Sequence, residues 1–131
     1  MSWEKVTNHK VRGLPIGVAR ITGKNSPKAV YIGSQTVAAW DLGKTRSATV
    51  YKDASKKMLG LQFHEDESGE FAVVHPDGRG KGIVISPAQA LSEVGAVAKS
   101  HVSVRKDKGL VTVDCSQVLA ARQLEQIRLN R

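Results

Sequence analysis

The chain has 131 residues, 40% hydrophobic and 24% charged, a balance that fits one globular domain and excludes wholesale disorder. Its 20 Lys and Arg against 12 Asp and Glu give a net charge of +8, which points to a polyanionic partner, nucleic acid foremost. No apolar run approaches the roughly 20 residues that span a bilayer, and the first residues lack the apolar stretch of a signal peptide, so a cytoplasmic protein with no membrane partner is expected.

Residues 1–14, including His9, Lys10 and Arg12, show no period and end at Leu14-Pro15, so they read as an N-terminal arm. Gly17–Thr22 reads as a strand, Gly23–Pro27 as a turn rich in glycine, asparagine and proline, and Lys28–Ile32 as the returning strand. Ser34 can cap a two-turn helix by accepting an orphan amide hydrogen bond, and Gly43 can end it in the left-handed conformation. Thr45–Lys52 and Met58–His64 alternate with period two around Asp53–Lys57, a hairpin pattern. The acidic stretch Glu65–Glu70 reads as a joint. After it come strand Phe71–Val74, turn His75–Lys81, strand Gly82–Ile85, helix Pro87–Val94 and hairpin Ser100–Cys115. In Gln117–Leu129, Val118, Ala121, Leu124 and Ile127 recur at helical spacing, which predicts an amphipathic helix lying on the core or on a second subunit.

The order of elements in residues 15–64 recurs in residues 71–115. Lys28–Ile32 matches Lys81–Ile85, and Ser34–Gly43 matches Ser86–Gly95. A repeated unit of this size rarely buries its apolar face alone, so the expectation is a single α+β domain. It would contain antiparallel hairpins and short helices, two pseudo-symmetric β-β-α-β-β halves, the joint at 65–70 and a C-terminal helix over 116–131.

No phosphate loop, nucleophile elbow, cysteine cluster or paired metal-ligand histidines occur, so an enzyme, a cofactor and a metal site are not expected. His9, His64, His75 and His101 read as surface or turn residues, and the lone Cys115 as a small buried hydrophobe. Charge is unevenly spread. Residues 1–60 hold 11 basic and 3 acidic groups, residues 61–98 hold 2 and 6, and residues 99–131 hold 7 and 3. If the first and last thirds meet, their cations gather on one surface. Arg20, Lys24, Lys28, Lys44, Arg46, Arg79 and Lys81 are candidate phosphate contacts, which give salt-dependent affinity without sequence choice. Tyr51, out of phase with Val50, is the candidate for stacking a base among Lys44, Arg46 and Lys52. Arg105 and Lys106 complete the nucleic-acid-binding set.

Arg20-Ile-Thr-Gly, Ala29-Val-Tyr-Ile, a short helix closing on Leu42-Gly43, and a hairpin with Val50 and Leu61 together resemble the AbrB/MazE group of swapped-hairpin DNA-binding domains. Gly82-Ile-Val-Ile-Ser-Pro87 and Val94-Gly95 in the second half are similar. That resemblance implies a transcriptional regulator or antitoxin, with two copies in one chain replacing the usual two chains of a barrel. A narrower stretch, Asp66–Glu70, Pro76, Gly80–Ile83 and Ser86–Gln89, looks like the positive-cofactor-four coactivators and their Whirly relatives, which bind single-stranded DNA on an antiparallel sheet. The expected function is non-enzymatic DNA binding in transcription or replication, as a homodimer, and small size with basicity suits a phage protein. The alternatives are a single-stranded-DNA-binding coactivator-like protein and a protein-interaction or structural subunit whose C-terminal helix docks a partner.

Overall fold

The computed structural model describes Trp3 and residues 13–129. In chain order the elements are β1 (Val18–Thr22), β2 (Ala29–Ile32), α1 (Ser34–Ala39), β3 (Ser47–Asp53), β4 (Met58–His64), β5 (Phe71–Ala72), β6 (Ile83–Ile85), α2 (Ala88–Glu93), β7 (His101–Asp107), β8 (Leu110–Asp114) and α3 (Ala121–Leu129). The strands alternate as their sequences predict: Ala19, Ile21, Val30, Ile32, Leu59, Leu61, Val102, Val104, Val111 and Val113 are buried. Between them Arg20, Gln62 and Arg105 are exposed.

Every ladder is antiparallel, in the order β5-β3-β4-β8-β7-β1-β2-β6. The two edges return to each other where Val74 and Val84 exchange backbone hydrogen bonds of 2.9 Å. The fold is therefore α+β with a nearly closed eight-stranded sheet, which leaves little unpaired strand edge exposed. The first and last thirds of the chain meet through β1·β7 and β4·β8. Val37 of α1 and Leu91 of α2 belong to the same buried cluster as the strand residues, so both parts of the chain share one core.

The pairing order also fixes the walls and ends of the barrel. β2·β6 and β4·β8 lie half a circuit apart, on opposite walls. If β1 runs upward, the antiparallel ladders put the β1–β2 turn, the β3–β4 turn and α2 at the upper end. The β5–β6 turn, the β7–β8 turn and α1 lie at the lower end.

Several boundaries depart from the sequence reading. Both short helices end with a left-handed residue and paired backbone bonds of the Schellman type, but in α1 that residue is Asp41 (φ 55°) rather than Gly43. Leu42 N donates to Val37 O at 2.9 Å, and Ala96 N donates to Leu91 O at 2.9 Å beside Gly95 (φ 74°). Asp41, not Gly43, therefore holds after α1 the left-handed position that Gly95 holds after α2. Aspartate tolerates this conformation because its short polar side chain can bond locally. Gly33 rather than Ser34 is the N-cap of α1, and no side chain caps it. Pro87 precedes α2 instead of opening it. Of the expected arm, residues 4–12 lie outside the described residues, and Leu14 is buried, with its Cβ 3.3 Å from where a Cβ on Gly33 would stand. α3 begins at Ala121, four places later than expected. None of its residues is fully buried, although Leu124 and Ile127 are half-buried.

Candidate nucleic-acid interface

The cations at the upper end gather around the β1–β2 turn. Lys24 and Lys28 are exposed in it. Lys99 is brought alongside by the backbone: its N–H donates to Ile21 O at 2.8 Å, while Ile21 N–H donates to Ser100 O at 2.8 Å. Arg20 faces outward from β1, opposite Tyr31 on β2 and His101 on β7. Its guanidinium carbon lies 5.9 Å from the Tyr31 ring centroid, within the range at which a cation is drawn to an aromatic face. Tyr31 in turn lies over Gly82, where an added Cβ would come 2.6 Å from Cε2 and 2.7 Å from Cζ. This close approach explains glycine immediately before β6.

The lower group is built on the β5–β6 turn. Gly78 (φ 98°) and Gly80 (φ 83°) take conformations that other residues resist, and they project Arg79 and Lys81 into solvent. The turn is anchored by His75, whose Nε2–H donates to Thr45 O at 2.7 Å, while its buried Nδ1 has no hydrogen-bond partner among the described residues. Gly80 N lies 3.8 Å from where a Cβ on Gly43 would stand, so the turn rests beside the segment carrying Lys44. Val73 N donates to Arg46 O at 2.9 Å, which adds Arg46 to the group.

Thus Arg20, Lys24 and Lys28 sit together at one end of the β2·β6 wall, and Lys44, Arg46, Arg79 and Lys81 at the other. The remaining predicted residues lie elsewhere. Tyr51 is 53% exposed, as its position out of phase with Val50 requires, and its hydroxyl donates to Gln62 Oε1 at 3.3 Å. It lines an apolar groove of about 260 Å³ with Lys52, Lys56, Met58 and Leu110, several residues along β3 from Lys44 and Arg46. Arg105 lies on the same outer row as Tyr51, through Gly60 and Thr112. Lys52 is ion-paired with Glu93 at the end of α2, and Lys106 Nζ donates to Trp40 O at the end of α1 at 3.4 Å. Both contacts favour a cation at a helix C-terminus.

Lys99 and His101 were not singled out by sequence. Burial, then Arg20, then Arg128 hold the His101 imidazole below its ordinary pKa of 6.5. Cys115 is buried, and desolvation followed by the charge of Asp114 pushes its thiol up to about 11. Among the described residues no group of three or more His, Cys, Asp or Glu could hold a metal ion, and no helix is long and apolar enough to cross a membrane.

The wall and its two turns define a basic surface on an α+β barrel. No family model, no curated protein and no solved structure matches the chain.

Proposed function

We propose that the chain is a non-enzymatic DNA-binding protein that grips duplex phosphates along the β2·β6 wall, acting in transcription or replication. One observation carries this reading. β1, β2, β6 and their two turns hold Arg20, Lys24, Lys28, Arg79 and Lys81 against a single carboxylate, Asp77. The β2·β6 register ends at Ile32 opposite Ile83, and continuing it by two residues sets Lys81 about six residues from Lys28 along the wall, or about 20 Å at ~3.3 Å per residue. A duplex carries one charge per ~1.7 Å of axis, so that span covers about twelve phosphates.

The finer architecture supports the same reading. Exchanging β1 with β5, β2 with β6, β3 with β7 and β4 with β8 leaves the circuit of neighbours unchanged. Lys52 of one half reaches the α2 end, and Lys106 of the other reaches the α1 end. These reciprocal contacts agree with the resemblance to swapped-hairpin barrels of the AbrB/MazE kind, in which two halves of one chain would replace two chains. A pseudo-dyad between Tyr31 and Val84 would present the two cationic turns to a duplex as equivalent arms.

A second reading rests on Tyr51. Its exposed ring, the apolar groove beside it and Lys52 and Lys56 could stack and flank one unpaired base. Fluorescence anisotropy with duplex and single-stranded oligonucleotides at 50 and 200 mM salt tests both readings. The proposal expects preference for duplex, with affinity falling by decades across that range. Preference for single strands that is lost in Tyr51→Ala favours the second reading, and negligible binding to both removes each of them.

A further inference from the structure

We propose that the groove between β1 and the connection from α2 to β7 is a binding site for one phosphate of the DNA backbone, held by Arg20, Lys99 and His101. The source of that phosphate rests on the DNA-binding reading; the capacity to hold a phosphate rests on the groove alone.

The groove measures about 440 Å³ and is lined by Arg20, Ile21, Thr22, Gly23, Lys99 and His101. Three of these six residues are cationic or can become so, and none is a carboxylate. Arg20 and His101 are directly opposed on an antiparallel pair, a placement that brings Cβ atoms within about 5.5 Å and disfavours like charges. Among the described residues the ion pairs are Lys52 with Glu93 and Arg128 with Glu125, so no carboxylate neutralises Arg20, Lys99 or His101. An anion between the three would relieve that repulsion.

The backbone is shaped to keep Lys99 there. Its φ of 64° is a conformation that lysine resists, and the hydrogen bonds linking Lys99 and Ser100 to Ile21 hold it in place. Arg20 offers a planar fork of donors suited to two phosphate oxygens, Lys99 a point charge, and His101 a ring N–H. The charged groups facing His101 are Arg20 from β1, Lys99 from its own connection, and Arg128 from α3, which stands 3.9 Å from Glu125. Burial, then Arg20, then Arg128 disfavour protonated His101. A bound phosphate reverses that balance, so phosphate and a proton on His101 each favour the other.

The test is an NMR titration of the His101 imidazole in the full chain, alone, with inorganic phosphate, and with a duplex oligonucleotide, at constant ionic strength. The proposal expects the His101 midpoint to rise by about one pH unit with either probe, which corresponds to about tenfold tighter binding to the protonated form. It also expects the rise to disappear in Arg20→Gln and in Lys99→Asn, asparagine being chosen because it accepts the left-handed conformation. Retained far-UV circular dichroism checks that each variant is folded, and Arg20→Gln, on an exposed strand position, serves if Lys99→Asn is not. A midpoint unmoved by both probes overturns the site. Movement with inorganic phosphate but not with a duplex that binds, as judged by anisotropy, overturns the assignment to the DNA backbone and leaves the DNA reading intact. Movement with phosphate and no duplex binding at all overturns both the assignment and the DNA reading.

Discussion

Removing the two cations of the lower turn, Arg79→Ala with Lys81→Ala, should weaken duplex binding and flatten its salt dependence together. Both residues are exposed, and glycines at Gly78 and Gly80 hold the turn whatever residue stands between them, so the fold should tolerate the change. Each neutralised phosphate contributes about −0.9 to the slope of log affinity against log salt, so two contacts account for about −1.8. Across the fourfold change from 50 to 200 mM that is about a 12-fold difference, so the gap between wild type and variant should shrink by this factor as salt rises. Anisotropy titrations at four or five salt concentrations measure the slope directly. Lys106→Ala is the control, because its ammonium is engaged with Trp40 O and its loss should leave the slope unchanged. A double variant that keeps the fold and the wild-type slope would refute the assignment of this turn to phosphate contact.

Four other outcomes are expected. Gly82→Ala should cost about 1–3 kcal/mol in urea unfolding, because the new Cβ strikes the Tyr31 ring, whereas Gly78→Ala meets nothing within 4 Å and pays only for its φ of 98°. Leu91→Ala, which empties a fully buried site beneath α2, should cost about 2–5 kcal/mol, and thermal unfolding would show it. Cys115, with its thiol pushed from 9.0 to about 11, should carry about a hundredfold less thiolate than an ordinary cysteine, and alkylation at pH 8 should require unfolding. The unfolded chain binds a proton on His101 more readily than the folded one, so its contribution to stability is full above pH 6.5 and lost as pH falls through the lower folded value. In urea unfolding series, His101→Asn should flatten the dependence on pH in that window.

The strand pattern was legible because alternation is a local signal. Met58–His64 was read with both ends correct, and most other strands were within a residue or two. The helix ends were less legible because the left-handed position falls to whichever residue the packing of Val37 and Leu42 selects, and Asp41 gives no stronger local signal than the glycine two places on. The closure at Val74 and Val84 could not be read at all. It is a long-range bridge at the end of a two-residue strand, β5, and nothing local marks it. For the site, composition and turn chemistry located Lys24, Lys28, Arg79 and Lys81 on turns, but the grouping depends on strand order. Sequence spacing likewise gave no sign that Lys52 and Lys106 would be occupied by contacts at the helix ends, or that Lys99 and His101 would be carried beside Arg20. These are consequences of pairings between residues some 40 to 80 positions apart.

Lysine footprinting with and without duplex DNA, read by mass spectrometry after mild acetylation, tests the central claim most directly, because it reports which wall the DNA covers. The account predicts protection of Lys24 and Lys28 at one end and of Lys44 and Lys81 at the other, with Lys56, Lys57 and Lys108 on the hairpins bordering the β4·β8 wall remaining reactive. Protection confined to those hairpin lysines, or spread evenly over all of them, would contradict it.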